Sequence, residues 1–183
     1  MRNKLGLFVV ADSEKCTGCK ACEVACFASH NANNGVKHTV GTITTPIIPK
    51  LYLTRFGSKC MPVQCRQCED APCLNSCSSN AISKIDGVMV VSASACIGCK
   101  NCLMACPFGA VELLPLYNNA EPVMQLAVDE AKITANKCVR CYETGKPACV
   151  AACPHEALRT VDLSAETKDK KVKAAVALAS TAI

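Results

Sequence analysis

Cysteines are the residues of this chain whose number and spacing most directly suggest chemistry. Seventeen of the 183 residues are cysteine, and sixteen of them fall into four quartets. In each quartet the first gap is two residues and the last gap is three, while the middle gap is two, four, two and seven in turn. The quartets are Cys16, Cys19, Cys22 and Cys26; Cys65, Cys68, Cys73 and Cys77; Cys96, Cys99, Cys102 and Cys106; and Cys138, Cys141, Cys149 and Cys153. Thiolates grouped in this way are ligands for soft metals.

Gaps of two, two and three residues favour iron–sulfur clusters over a single metal ion. In the bacterial ferredoxin run, three cysteines hold one [4Fe–4S] cluster and the fourth binds a neighbouring cluster. Gly18 and Gly98 lie between the first two cysteines of their quartets, where the backbone must pass close to inorganic sulfide. Four runs use sixteen cysteines without remainder, so the sequence predicts four [4Fe–4S] clusters as cofactors.

Zinc and disulfides are the two alternatives for dense cysteine. Zinc sites pair C-x2-C units that lie a dozen or more residues apart, and a third cysteine only two residues on, as at Cys22 and Cys102, suits one ion poorly. The stretch MRNKLGLFVVADSEKC places Asp12 and Glu14 directly after its apolar run and has no cleavage site. We therefore expect a cytoplasmic protein, whose reducing surroundings disfavour disulfides.

Composition and charge limit the other function classes. Four Phe, three Tyr and no Trp provide little large apolar surface, so something besides a conventional core must hold the fold together. The net charge of +5 would fit a nucleic-acid partner, but four clusters of roughly two negative charges each would bring it to about −3. No apolar stretch reaches the length of a spanning helix. We expect neither nucleic-acid binding nor a transmembrane segment.

The quartets are predicted to lie in a repeated unit of strand, loop and short helix. The β-rich stretches LFVV, GVMVV and AKIT precede quartets one, three and four, and the phrases CSSNAI, CPFGAV and CPHEAL end three quartets. Pro107 and Pro154 directly follow a last cysteine, and proline suits the first turn of a helix. The pattern predicts an α+β fold in which the last cysteine of a quartet opens a helix.

Residues outside the quartets show no catalytic grouping. His30, His38 and His155 are predicted to be surface residues in loops, and no Gly-rich phosphate loop is present. The leftover Cys60 is predicted to be a buried free thiol on a strand. A cluster held by four thiolates has no open position for substrate. The chain is therefore predicted to transfer electrons and not to be an enzyme by itself.

Other segments have local interpretations. Cations beside quartet cysteines either stabilise reduced clusters or face water; they are Arg66, Lys100 and Arg140. Residues 28–59 contain no cysteine, and Pro46 and Pro49 interrupt their β-branched stretch. This pattern indicates an irregular edge strand or docking loop. The stretch LLPLYNNAEP, residues 113–122, predicts a surface connection.

The last twenty residues, 164–183, predict a helix used for assembly or docking. The segment has no Gly or Pro, offers Ser164 as an N-cap with Glu166 in the first turn, and is apolar-biased from Ala174 to Ile183. An isolated helix of this length is marginal in water, so it needs something to pack against. A second copy, a partner, a membrane surface and its own domain are the alternatives.

The quartets together resemble the four-cluster ferredoxin-type iron–sulfur subunits of molybdenum and tungsten oxidoreductases and hydrogenase complexes. MPVQCRQCEDAPC at 61–73 and CIGCKNCLMACPFGA at 96–110 carry the resemblance, which covers residues 5–163. Within that family the chain is most similar to the small subunits that have no membrane anchor. These include the iron–sulfur subunits of formate hydrogenlyase, of carbon monoxide dehydrogenase-linked hydrogenase and of hydrogen-dependent carbon dioxide reductase. The resemblance implies an electron relay between formate dehydrogenase-like and hydrogenase-like subunits, with self-association through residues 164–183 into filaments. A carbon monoxide dehydrogenase-linked hydrogenase as partner and a freely diffusing polyferredoxin are the alternatives.

The resemblance also implies a nested fold. Residues 1–59 and 116–163 would form an outer ferredoxin module with two clusters, and residues 60–115 a pseudo-symmetric inserted module. Each cluster site would then take three cysteines from one quartet and the fourth from its partner quartet. The implied sites are site one, Cys16, Cys19, Cys22 and Cys153; site two, Cys138, Cys141, Cys149 and Cys26; site three, Cys65, Cys68, Cys73 and Cys106; and site four, Cys96, Cys99, Cys102 and Cys77.

Overall fold

The computed structural model describes residues 7–32, 46–118, 121–125 and 130–180. Short strands and helices alternate along these residues, which confirms the predicted mixture of helix and strand. The elements in chain order are β1 Leu7–Ala11, α1 Ala21–Ala32, β2 Tyr52–Phe56, β3 Lys59–Val63, α2 Pro72–Asn75, β4 Ile82–Ile85, β5 Val88–Val91, α3 Asn101–Ala105, β6 Val111–Pro115, β7 Tyr117–Asn118, β8 Glu121–Pro122, β9 Ile133–Lys137, α4 Ala148–Ala151, β10 Leu158–Asp162 and α5 Leu163–Ser180.

Two of the antiparallel strand pairs join distant parts of the chain. Strand β1 pairs with β10, with Val9 opposite Thr160, and β6 pairs with β9, with Leu113 opposite Ala135. The other described pairs are local: β2 with β3, β4 with β5, and β7 with β8. The long-range pairs therefore bring the start of the chain to the end of quartet four, and the end of quartet three to the start of quartet four.

Each quartet places its third cysteine at the second residue of a helix. These cysteines are Cys22 on α1, Cys73 on α2, Cys102 on α3 and Cys149 on α4. Helix α1 packs against α4, and α2 packs against α3. Quartets one and four therefore lie together, as do quartets two and three.

The prediction that the last cysteine opens a helix is wrong. Helices α2, α3 and α4 end at or before the last cysteine of their quartets, and Cys106 is the C-cap of α3. Pro107 and Pro154 therefore lie just beyond a helix, a position that proline also favours because it cannot continue the hydrogen-bonding pattern. No proline follows Cys26, and α1 continues through it to Ala32.

The segment at 113–122, predicted to be a surface connection, is half-buried or exposed over its described residues but is not an irregular loop. Most of it belongs to strands, because β6 pairs with β9 and the short strand β7 pairs with β8. In the segment 28–59, α1 continues to Ala32 and β2 forms a regular hairpin with β3. The rest of that prediction, over 33–45, falls outside the described residues.

The core consists of two small apolar clusters, and cysteines are a large part of both. One contains Ala71, Cys73, Ala81, Ile82, Met89, Cys96, Cys102, Val111 and Ala135. The other contains Val9, Cys22, Cys26, Leu51, Cys149 and Leu158. Neither cluster contains an aromatic side chain. Because thiols fill the places that large apolar side chains usually occupy, whatever binds the thiols also holds the core together.

The C-terminal helix α5 is present and begins at Leu163, one residue before the predicted cap Ser164. The cap is Asp162, whose Oδ1 accepts the N–H groups of Ser164 at 2.9 Å and Ala165 at 3.4 Å. None of the described residues of α5 is buried. Over the described part of the chain, no helix combines the length and the apolar character needed to cross a membrane.

Candidate iron–sulfur centres

The four cysteines of site one line one cavity. The cavity has a volume of about 330 Å³, which includes solvent at its open mouth. Its walls include Cys16, Cys19, Cys22 and Cys153. Cys22 reaches it from the first turn of α1, and Cys153 from just beyond α4. Cys19 is exposed, whereas Cys22 is buried. The packing of α1 against α4 thus brings together thiols that lie more than a hundred residues apart.

Two further cavities are built the same way by quartets two and three. The cavity at site three, about 330 Å³, is lined by Cys65, Cys68, Cys73 and Cys106. The cavity at site four, about 310 Å³, is lined by Cys77, Cys96, Cys99 and Cys102. Each cavity takes three cysteines from one quartet and one from the other, because α2 and α3 pack side by side. Cys99 is exposed, like Cys19 at site one.

The cysteines of site two, Cys26, Cys138, Cys141 and Cys149, are all buried. The pKa of Cys26 is raised to about 12, chiefly by burial and also by negative charge on Cys138 and Cys141, although the N–H of Lys50 acts in the opposite direction. Burial likewise raises the pKa of Cys138 to about 11, although the N–H of Arg140 acts in the opposite direction. The pKa of Cys149 is raised by burial and then by negative charge on Cys138 and Cys26. These thiols are close enough to influence one another and need a positively charged group to become thiolates.

Backbone N–H groups point at cysteine sulfurs in all four sites. The donors and their Sγ acceptors are Lys50 to Cys26 at 3.3 Å, Gln67 to Cys65 at 3.5 Å, Ala135 to Cys96 at 3.4 Å, Arg140 to Cys138 at 3.3 Å and Ala157 to Cys153 at 3.3 Å. Gln67 and Arg140 donate to a sulfur two residues back from left-handed conformations, with φ of 52° and 57°. Hydrogen bonds of this kind stabilise thiolate sulfur and help to set a cluster's potential.

The arginines beside quartet cysteines have structural roles. The Arg66 guanidinium donates to the Val9 carbonyl at 3.3 Å and lies 5.7 Å from the centre of the Phe8 ring. The Arg140 guanidinium donates to the Leu7 carbonyl at 2.8 Å. Both side chains anchor β1, and among the described residues no hydrogen bond joins either guanidinium to a sulfur. Lys100 is exposed at the edge of site four.

Sequence reasoning missed the cation that does contact a sulfur. Lys137, the last residue of β9, is 1% exposed, and its Nζ lies 3.5 Å from the Sγ of Cys65. The available signal was a lysine directly before a quartet, but Lys15 has the same position before quartet one and is exposed. Gln67 was also missed; its amide joins the Met89 N–H at 2.8 Å to the Cys138 carbonyl at 2.9 Å.

Two of the three histidines, and the leftover Cys60, lie within the described residues. His30 lies in the last turn of α1 and is half-buried, so the prediction of a surface residue in a loop is wrong; burial lowers its pKa to about 4. His155 is exposed beside site one, and His38 lies outside the described residues. Cys60 is buried on β3, which confirms the predicted thiol on a strand.

The arrangement of donors fits a multi-atom inorganic group. Within the described ranges, no three His, Cys, Asp or Glu side chains come close enough to hold a single metal ion. At sites one, three and four the thiols instead line the walls of a cavity, four to each. Four thiolates around one centre are the ligand set of a [4Fe–4S] cluster.

Comparison with known families gives two matches to iron–sulfur domains. Residues 95–157, which contain quartets three and four, match the 4Fe-4S dicluster domain. Residues 13–26, which contain quartet one, match a 4Fe-4S binding domain. The chemistry suggested by the donors is therefore the chemistry of the matching families.

Relatives that match over most of their length include one named as an electron transport protein, one named as an iron–sulfur protein and one named as a formate hydrogenlyase subunit. The chain is 40% identical over 158 residues to the electron transport protein HydN of Escherichia coli, which covers 85% of this chain and 87% of that protein. It is 36% identical over 168 residues to an iron–sulfur protein of Rhodospirillum rubrum, and the match covers 88% of this chain and 85% of that protein. It is 34% identical over 175 residues to formate hydrogenlyase subunit 2 of E. coli, and the match covers 85% of this chain and 81% of that protein.

Proposed function

The chain belongs to the ferredoxin-type iron–sulfur family of HydN and formate hydrogenlyase subunit 2, and we propose that it relays electrons through four [4Fe–4S] clusters. The observation that carries the proposal is the grouping of quartet cysteines, four around each of three cavities and four in one buried cluster. When bound, such a cluster accepts and releases one electron and offers substrate no open position. The chain's residues hold, order and shield these groups.

We propose the sites one to four as the ligand sets of the four clusters, in that order along the relay. Helix α1 carries Cys22 of site one and Cys26 of site two, one turn apart. The side chain of Lys137 contacts Cys65 of site three and the carbonyl of Cys138 of site two. Helix α2 carries Cys73 of site three, and Cys77 of site four follows its end. Each pair of successive sites therefore shares an element or a contact.

The proposed modules are residues 1–59 with 116–163, and 60–115. Their support is the packing of α1 against α4 and of α2 against α3. The hairpin β2–β3 crosses the first boundary and the pair β6–β9 crosses the second. We therefore propose two modules that share strands and fold together.

Partner enzymes are proposed from the relatives and from the two exposed ends. Formate hydrogenlyase subunit 2 is named as part of a formate–hydrogen complex, which supports formate dehydrogenase-like and hydrogenase-like partners for this chain. The exposed cysteines Cys19 and Cys99 belong to the first and last sites, where electrons would enter and leave. All seventeen cysteines are free of disulfides, which supports a place in the reducing cytoplasm.

Iron analysis and native mass spectrometry test this proposal. Anaerobically purified protein should contain about sixteen irons per chain and show [4Fe–4S] signals by EPR after reduction. It should also co-purify with catalytic subunits. A colourless, zinc-containing protein would refute the clusters, and an iron-loaded protein that always purifies alone would refute the relay subunit in favour of a mobile carrier.

We also propose that α5 mediates self-association. Val172, Val176 and Leu178 are 54%, 64% and 72% exposed, so the helix presents apolar surface that its own domain does not cover. Deleting residues 164–183 should abolish higher assembly in sedimentation experiments and leave the iron content unchanged. A deletion variant with the sedimentation behaviour of the full chain would contradict this role.

A further inference from the structure

Lys137 is a fully buried cation at the junction of sites two and three. Its Nζ donates to the Met89 carbonyl at 2.6 Å, to the Cys138 carbonyl at 3.4 Å and to the Cys65 sulfur at 3.5 Å. A lysine ammonium has three N–H donors and no acceptor. Three acceptors around one Nζ therefore match the charged form, whereas a neutral amine would leave its lone pair facing an oxygen or sulfur.

No carboxylate among the described residues forms an ion pair with Lys137. The ion pairs found between described residues are Lys20–Glu23, Lys59–Glu14, Arg159–Glu166 and Lys173–Asp169, and none includes Lys137. A buried charge without an opposite charge nearby is strongly unfavourable. The anionic partner that the fold provides is sulfur, through Cys65 directly and Cys138 as the adjacent residue.

The charge of Lys137 reaches thiols of both sites. In site three the Lys137 Nζ lies 3.5 Å from the Sγ of Cys65, which lines the same cavity as Cys73. In site two Lys137 is the chain neighbour of Cys138, and its Nζ lies 3.4 Å from the Cys138 carbonyl oxygen. A group that stabilises negative charge on these sulfurs also stabilises an electron added to whatever the sulfurs hold.

We propose that Lys137 is a fixed buried cation that makes the clusters of sites three and two easier to reduce. The inference rests on the proposed function, because it needs clusters at these sites. Reduction adds one electron to a cluster, and no bond to Lys137 forms or breaks. The ammonium keeps its proton and stabilises the added charge. Lys137 sets potentials and is not needed to hold the clusters, which the cysteines bind.

Substitutions that remove the charge test the proposal in the iron-loaded full-length protein. Lys137→Gln keeps hydrogen-bonding capacity and Lys137→Met does not. Lys132→Gln is the matched control, because Lys132 lies directly before β9 and its amine also donates to a carbonyl, that of Ser94 at 3.2 Å, in an exposed position. Potentiometric titration followed by EPR reports all four clusters.

Both Lys137 variants should make reduction of two of the four clusters less favourable by about tenfold or more, which is about 59 mV for a one-electron couple. Site three should change more than site two, because the sulfur that Lys137 contacts belongs to site three. The control should retain the wild-type potentials. Unchanged potentials in an iron-replete Lys137 variant would overturn the proposal, as would loss of the clusters from both variants.

A second measurement uses the unmutated protein. Reduced protein that carries ¹⁵N at the lysine Nζ should show a ¹⁵N coupling to a cluster by pulsed EPR, and Lys137→Gln should remove it. Absence of this coupling from the wild-type protein would overturn the contact. Absence of any [4Fe–4S] signal from the wild-type protein would instead refute the proposed function.

Discussion

In the proposed relay, sites two and three are central and sites one and four are terminal, and the two pairs differ in the solvent exposure of their cysteines. All four cysteines of site two are buried, and none of site three is exposed. Sites one and four each contain one exposed cysteine, Cys19 and Cys99. The edge of site four also exposes Ile97, which is 66% accessible and lines the cavity.

In the proposed relay, this difference in exposure would let one ligand type serve two roles. Buried and half-buried sulfurs near Lys137 would suit a centre that stores an electron away from water, because low dielectric strengthens the effect of each fixed charge. Exposed sulfur at the ends suits exchange with a partner, because a partner's redox group can approach it. Substitutions at matched positions of the centre and the ends can break or sharpen this comparison.

The largest effect is expected from replacing a central ligand. Cys138→Ser should reduce the yield of folded, iron-loaded protein at least about tenfold, because Cys138 is buried among the other thiols of site two and the core depends on what they bind. Cys19→Ser should affect the cluster of site one alone. Iron per chain and far-ultraviolet circular dichroism check both variants. Equal iron loss in the two would remove the distinction between centre and end.

Two glycines at the same position of quartets one and three give the next largest effect. Both have positive φ, 77° at Gly18 and 70° at Gly98. A Cβ on Gly98 would lie 2.9 Å from the Ile133 carbonyl oxygen, which is fixed in β9, whereas a Cβ on Gly18 would lie 2.9 Å from the Cys60 sulfur, which can rotate. Gly98→Ala should therefore destabilise the holoprotein more, by about 1–3 kcal/mol beyond the cost of the left-handed backbone.

Thermal transition midpoints of the holoprotein check the glycine prediction. Gly57→Ala is the control, because φ is also positive there and no atom lies within 4 Å of the added Cβ. Adding Cys60→Ala should bring Gly18→Ala back to the level of this control and should not rescue Gly98→Ala. Equal midpoints for Gly18→Ala and Gly98→Ala would show that the two loops tolerate the same crowding.

As the pH falls, site two should lose its iron at a higher pH than site four. Burial raises the pKa of Cys26 to about 12 and of Cys138 to about 11, so these thiols hold their protons at neutral pH without metal. At Cys77 of site four, burial is outweighed by hydrogen bonds from Ser79 and from backbone N–H groups, and its pKa is lowered. A thiol with a raised pKa must release a proton to bind iron, so acid favours the metal-free form below that pKa.

Competition with a chelator between pH 8.5 and 6.5 checks this prediction. Each released proton makes the apparent binding constant about tenfold weaker per pH unit of acidification. The EPR signal of site two should disappear first as the pH falls. Equal loss of all clusters, or greater loss at higher pH, would contradict the assignment of the protonated thiols to the centre.

Local patterns were sufficient to group the cysteines into quartets and to predict some of the ten described strands. The stretch LFVV became β1 and GVMVV became β5, because alternating β-rich residues are decided by near neighbours. Which quartets share a site depends on long-range packing of α1 with α4, and only the family resemblance pointed to it.

Other features could not be read from local sequence. A proline after a cysteine suits both the start of a helix and the residue after its end, so Pro107 and Pro154 were compatible with either position. Lys15 and Lys137 precede quartets in the same way, and the second is buried because its amine reaches the carbonyl of Met89 on β5. Its role depends on a contact between residues that lie 48 positions apart.

The smallest effect is expected at α5, far from the thiols of either centre or end. Asp162→Ala removes the acceptor of two backbone N–H groups and of the Ser164 hydroxyl, so the first turn of α5 should fray, with weaker ellipticity at 222 nm. Hydrogen bonds from Ser164 and Ala165 lower the pKa of Asp162, so the cap is complete above the ordinary carboxyl pKa and is lost as the pH falls. Ser164→Ala should weaken the helix less, because the backbone N–H bonds to Asp162 remain. A larger loss for Ser164→Ala would return the cap to Ser164, whereas a change of cluster potential in either variant would mean that α5 contacts the relay and is not the separate element that its exposure indicates.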